Sequence, residues 1–189
     1  NEQEQWNQKE YAKTYLLWAL KGGIVVIAHV RGGGEKGESW YKGGFKETKP
    51  NSWKDLISCA EFMINEKYSS PEKIAIWGAS AGGITIGRAV TDRPDLFKAA
   101  VIDAGLVNTL RIEAMPNGLN TTKELGSITD EKEFKYLLEM DSYHHIQKGV
   151  KYPALLITGG INDPRVSPWM PTKFAAKLQA KNSSINPIL

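Results

Sequence analysis

Apolar residues follow two patterns along this chain. In four stretches they run nearly unbroken: residues 24–30 (IVVIAHV), 73–77, 98–105 (KAAVIDAG) and 154–160 (ALLITGG). Runs of this kind are the mark of strands buried on both faces. Between them apolar positions recur at helical spacing, over residues 6–20, 53–68, 81–91, 130–140 and 171–180. The first helix carries Tyr11, Tyr15, Leu16, Trp18 and Ala19 and is ended by Lys21-Gly22-Gly23. The second has Asn51 or Ser52 as N-cap candidates and Asp55 in its first turn. Residues 107–127, with Pro116, Gly118 and Gly126, read as irregular. The alternation of strands and helices predicts an α/β fold, a mostly parallel sheet with helices on both faces joined by right-handed crossovers. Chemistry in such sheets collects beyond the carboxyl ends of the strands. Three unusual loops stand there: RGGGEKG, GASAGG and GGINDPRV.

Composition narrows the classes. At 189 residues, 41% hydrophobic and 24% charged, the chain is long enough for one ordinary domain with a real core. The net charge of +3 is dispersed and argues against nucleic-acid binding. No stretch reaches the length of a membrane span. Cys59 stands alone, so no internal disulfide forms; its apolar helical setting marks a small core residue, and it is compatible with a cytoplasmic or a periplasmic location. Residues 1–10 are polar and unlike a signal peptide, and no initiator Met is present, which predicts a piece of a longer protein truncated at both ends.

Gly78-Ala79-Ser80-Ala81-Gly82 fits G-x-S-x-G between a predicted strand and a predicted helix, the context that motif requires. In such an elbow the serine hydroxyl projects beyond the sheet at a helix N-terminus, where the dipole and free N–H groups favour negative charge. The N–H of Ala81 is the natural oxyanion donor. The competing reading is a glycine-rich turn whose serine only caps the helix. A phosphate loop is excluded, since Gly-Lys-Ser/Thr is absent.

A triad of this type runs Ser, then Asp or Glu, then His. Asp163, three residues past ITGG, stands where the acid belongs; the alternatives are a simple turn-former there, or Asp103 as the acid. No histidine follows Asp163. His29 ends an expected buried strand and reads as structural, and His144 and His145 read as surface or supporting residues. Metal-ligand spacing is absent, so neither metal nor cofactor is expected.

These residues together resemble the catalytic domain of the prolyl oligopeptidase family of serine peptidases. The likeness covers nearly the whole chain, through AHVRGGGEKGESWYKGG, NSWKDLISCAEFMINEKYSSPEKIAIWGASAGG, DRPDLFKAAVIDAG and GGINDPRVSP. The resemblance implies a partial α/β-hydrolase domain over residues 1–189, with the family's propeller and terminal histidine segment outside it. It implies Ser80 as nucleophile, Ala81 N–H as one oxyanion donor and Asp163 as the residue orienting the histidine. Arg165 would bind a substrate carbonyl, a role suited to a planar, always-charged donor, and Val166 would line the pocket for the residue before the cut. Arg31 and Glu35 would hold the glycine loop in shape. The family's substrate-stacking tryptophan has Asn120 nearest its place, which predicts no strict demand for proline. Short peptides are the expected substrates, the chain by itself is expected to be inactive, and open sheet edges are expected to promote self-association. Other readings are an esterase- or lipase-like hydrolase, or a non-enzymatic interaction segment.

Overall fold

The computed structural model describes residues 13–189. Its centre is a parallel sheet of β1 (Ala75–Ala79), β2 (Ala99–Asp103) and β3 (Ala154–Thr158), in that spatial order. Ala75, Ala99 and Ala154 lie side by side, and the rows end together at Ala79, Asp103 and Thr158. All three strands therefore deliver their following loops to one edge. Around them lie α1 (13–20), α2 (Glu38–Lys42), α3 (Pro50–Asn65), α4 (Gly82–Asp92), α5 (Gly118–Leu125), α6 (Glu131–Met140), α7 (Ser142–His145) and α8 (Trp169–Lys181).

Strand alternation decides which side is core. Ile76, Ala100, Ile102 and Leu155 are buried on one face. Their core includes Ile84, Ala89 and Val90 of α4, Trp53 and Ile57 of α3, and Phe174 and Leu178 of α8. On the opposite face Trp77 and Leu156 remain 41% and 46% exposed. There α1 supplies Tyr15, whose ring meets Trp77 edge-on at 6.4 Å. The sheet thus has helices on both sides, with the second side only partly covered.

Several expectations are corrected. The run 24–30 forms no ladder with any described strand, and Ile24, Val25, Val26 and Ile27 are all exposed. An apolar, β-branched run becomes a strand only where it reaches the hydrogen-bonding edge of a neighbour, and this run pairs with none of the described strands. His29, at its end, is consequently exposed and lies 3.2 Å from Glu35 rather than in a core. The helix predicted from residue 53 begins at Pro50, with Lys49 as N-cap. A proline at the first helical position starts the helix without needing its N–H. This frees Ser52 to donate to the Arg31 carbonyl and Asn51 to donate to the Gly43 carbonyl. Residues 107–127 contain a 3₁₀ segment, Thr109–Ala114, followed by α5. Beyond α8, residues 187–189 pair with the outer edge of β3: Leu155 donates to Pro187, and Ile157 to Leu189. The part of the first predicted helix before residue 13 lies outside the described residues.

Burial separates the two apolar runs energetically. Ile102→Ala, at a site with 0% exposure, is expected to cost about 2–5 kcal/mol in urea unfolding, whereas Val26→Ala should change stability by under about 0.5 kcal/mol. A comparable loss at both sites would mean that residues 24–30 are packed after all.

Candidate active site

Ser80 follows β1 directly and holds φ at +52°, in the left-handed region that a serine rarely enters. Its backbone is tied on both sides. Its N–H donates to the Asp103 carbonyl at the end of β2, and its own carbonyl accepts from Gly83 N–H and from Leu106 N–H. Helix α4 starts at Gly82 with Ala81 as N-cap and no side-chain cap, so the serine does not act as a capping residue. Ser80 Oγ has no hydrogen-bond partner among the described residues, and neither has the N–H of Ala81. A free hydroxyl on a strained turn, beside a free amide at a helix start, is the arrangement a nucleophile and an oxyanion donor need.

The glycines of this turn do different jobs. A Cβ on Gly78 would lie 2.6 Å from Ile86 Cγ1, and one on Gly83 would lie 2.5 Å from Gly105 Cα and 2.7 Å from Leu106 N. A Cβ on Gly82, the last glycine of the motif, would meet nothing within 4 Å. Helix α4 can therefore approach the exit of β2 because of Gly83 and Gly105, neither of which belongs to the motif. Ala104, with φ at +43°, makes the matching bend after β2 and donates to the Thr158 carbonyl.

Asp163 lies on the loop after β3, on the same edge of the sheet as Ser80. Its Oδ1 accepts the N–H groups of Arg165 (2.8 Å) and Val166 (2.9 Å). These two bonds, Val166 first, hold its carboxyl below the usual aspartate range; slight burial opposes them and the Arg165 charge adds to them. Asp163 is thus a turn-former, and its second oxygen, Oδ2, remains without a partner among the described residues. Arg165 is exposed, with no carboxylate in ion-pair contact among the described residues, while Val166 is buried in the core. Asn120 stands apart from these residues in element terms: it is exposed on α5, and its amide donates to Asn117 Oδ1. Asp103 also reaches this edge and accepts the Thr158 hydroxyl.

The glycine loop after residue 30 is fastened to α3. Arg31 donates to Asp55 through its backbone N–H, its Nε and one terminal nitrogen, at 2.6–2.9 Å in the closest contacts. Desolvation works against ionised Asp55, and the Arg31 hydrogen bonds and charge outweigh it, leaving that carboxyl below its ordinary range. The sequence showed Asp55 only as an acid in a helix's first turn; its partner lies 24 residues upstream, a separation no local pattern reveals. The histidines are engaged elsewhere. His144 Nδ1 lies 3.0 Å from Asp141 Oδ1, and His145 Nδ1 lies 2.8 Å from the Asp141 carbonyl oxygen.

A sheet of this topology with a serine elbow at its carboxyl edge defines an α/β-hydrolase domain. A sequence model described as the prolyl oligopeptidase family matches residues 9–187, and the chain belongs to that family of serine peptidases. A prolyl endopeptidase of Elizabethkingia meningoseptica is 36% identical over 183 residues, which is 96% of this chain and 26% of the relative. A solved prolyl endopeptidase structure superimposes with a TM-score of 0.90 at 35% identity, over 93% of this chain and 26% of that one. Prolyl oligopeptidase B of Galerina marginata, solved with a bound 35-residue hydrolysis and macrocyclization substrate, gives a TM-score of 0.81 at 38% identity, over 84% of this chain and 22% of that one. The chain thus spans about a quarter of the length of these relatives.

Two outcomes follow from this geometry. Gly83→Ala should destabilise the protein by roughly 1–3 kcal/mol in denaturant unfolding, since backbone must move, whereas Gly82→Ala should be tolerated; equal effects would contradict the assigned close approach. For Asp163, the lowered carboxyl pKa means that its contribution to loop stability is full above the ordinary aspartate value and is lost as pH falls through the lowered one. Carboxyl-carbon NMR titration should give a midpoint below that of a free aspartate, and a midpoint at or above it would show that the two N–H bonds are not made.

Proposed function

We propose that this chain forms the nucleophile-bearing part of a serine peptidase that hydrolyses short peptides through an acyl-enzyme on Ser80. The observation that carries this reading is the left-handed Ser80 backbone, which leaves Oγ free at the sheet edge shared with the Asp163 loop. In the first step Oγ attacks the scissile carbonyl carbon and its proton passes to a base and then to the leaving amine; water next cleaves the ester. Ala81 N–H donates to the developing oxyanion. Asp163 holds the basic histidine through its free Oδ2, Arg165 binds a substrate carbonyl beside the scissile residue, and Val166 backs the wall of the adjoining pocket. The peptide-bound Galerina relative supports the substrate class.

The base is proposed to be a histidine outside these 189 residues. The chain has three histidines; His29 stands against Glu35, and His144 and His145 stand against Asp141. A serine hydroxyl without its base is a poor nucleophile, and loss of one triad member removes most of the rate enhancement. The chain alone is therefore inactive toward peptides. The exposed apolar side chains of Leu156 and of the run at 24–27 favour self-association of the isolated chain. Asn120 offers no aromatic face, so the whole enzyme cleaves without an absolute demand for proline.

In the protein that contains this chain, Ser80→Ala should lower kcat on a short peptide by roughly a millionfold with the fold intact. A fluorophosphonate should label Ser80 there far faster than in the isolated chain. Peptide turnover surviving Ser80→Ala would overturn the nucleophile assignment, and equal labelling rates would show that the base lies within this chain.

A further inference from the structure

Three of the chain's five arginines are matched to carboxylates: Arg31 to Asp55, Arg88 to Glu139, and Arg93 to both Glu61 and Asp95. Arg165 has no ion-pair partner among the described residues and stands beside Asp163, in the site already described. Arg111 is also unpaired: it is exposed, and its guanidinium has no hydrogen bond or ion pair among the described residues. It lines a cavity of about 420 Å³ with Leu110, Ile128, Phe134, His144 and Lys173.

The cavity combines two features. Leu110, Ile128 and Phe134 supply apolar wall, and Ile128 and Phe134 leave large side chains open to solvent. Arg111 and Lys173 supply positive charge that no carboxylate among the described residues neutralises by direct contact. Lys173 Nζ is held in place by Asn108 Oδ1 at 2.9 Å and by the Tyr143 ring at 4.4 Å. Asn108 is in turn fixed through its Nδ2 to the fully buried Asp141, which also accepts the N–H groups of Leu110 and His144. That carboxylate is thereby occupied behind the wall. Glu113 accepts Ile128 N–H. His144 directs Nδ1 toward Asp141 and leaves Nε2 as a further polar atom of the lining. A preordered ammonium, a free guanidinium and an apolar wall within one small cavity match a ligand that is both anionic and apolar.

We propose that this cavity binds the carboxylate of a terminal apolar residue of a peptide, with Arg111 and Lys173 on the carboxylate and Leu110, Ile128 and Phe134 around the side chain. The volume lies near the lower end for ligand pockets, about 300–1,000 Å³, and suits one or two residues. Because none of the lining residues is assigned to the Ser80 chemistry, the proposal stands apart from the peptidase reading, and binding alone tests it.

The probe is N-acetylphenylalanine, compared with its amide by ligand-observed NMR titration of the protein. The acid should bind roughly five- to tenfold more tightly than the amide, the discount from a buried pair reflecting the exposure of Arg111. Arg111→Gln should remove that preference while leaving the weaker amide binding in place, and Phe134→Ala should weaken both probes. Arg111 is exposed and unpaired, so thermal unfolding of Arg111→Gln should match the parent and confirm an intact fold. Equal affinity for acid and amide, absence of binding at millimolar acid, or a preference that survives Arg111→Gln would each overturn the proposal. Inorganic phosphate displacing the acid at equal concentration would overturn it too, by showing an anion site without apolar recognition.

Discussion

The carboxyl edge of the sheet depends on the close approach of two backbones, Gly83 at the start of α4 and Gly105 just after β2. With side chains at either position the helix could not sit against the strand exit, since a Cβ on Gly83 would fall 2.5 Å from Gly105 Cα. That approach lets one carbonyl, that of Ser80, receive N–H groups from both segments. Its geometry demands a positive φ at Ser80, which costs a non-glycine residue about 1–2 kcal/mol, and the three backbone hydrogen bonds of that residue offset the strain. With the backbone doing the tying, the Ser80 hydroxyl is left unengaged. The hydroxyl is available because the main chain, and not the side chain, closes the turn.

The neighbouring loops are ordered by one carboxylate each, at different range. Asp163 acts locally, folding the segment after β3 through N–H groups two and three residues on. Asp55 acts across 24 residues, joining the glycine loop to α3 through a forked contact with Arg31. Forked guanidinium–carboxylate pairs fix orientation as well as distance, which explains how a loop containing Gly32, Gly33 and Gly34 keeps a definite path. Both carboxyls are held below their ordinary range, so both loops are tied by charged groups across the neutral pH range.

Away from this edge the sheet is unevenly protected. The face toward α3, α4 and α8 is closed, with Trp53, Ile84, Ile102 and Phe174 fully buried. The face toward α1 is open enough to expose Trp77 and Leu156, and the outer side of β1 has no ladder partner among the described residues. Charge is unevenly matched as well. Where Arg88 enters the core it stacks near Trp53 and reaches Glu139, whereas Arg111 lines a cavity with no carboxylate in contact among the described residues. The first arrangement pairs a buried cation through one terminal nitrogen, its Nε having no partner among the described residues; the second leaves attraction available to a ligand.

The hydrophobic pattern by itself determined the α/β class, three of the four strands and the helices around α3, α4, α6 and α8, and the G-x-S-x-G motif marked the elbow at Ser80. These are local properties: period, β-branched content and the turn chemistry of consecutive residues act over a few positions. Resemblance of motif added the family. Tertiary structure alone decided the rest. It showed that residues 24–30 do not become a strand, since pairing requires an edge that the run cannot supply for itself. It showed that α3 opens at Pro50 with Lys49 as its cap, not with Asn51 or Ser52, whose side chains are taken by the carbonyls of Gly43 and Arg31. It revealed Gly83, rather than the motif's own Gly82, as the glycine the elbow cannot do without, because the obstructing atoms belong to Gly105 and Leu106, more than twenty residues onward. It also matched Arg31 with Asp55 and left Arg111 unmatched. Such contacts join positions far apart in sequence, and only the folded chain brings them within reach of a hydrogen bond or a clash.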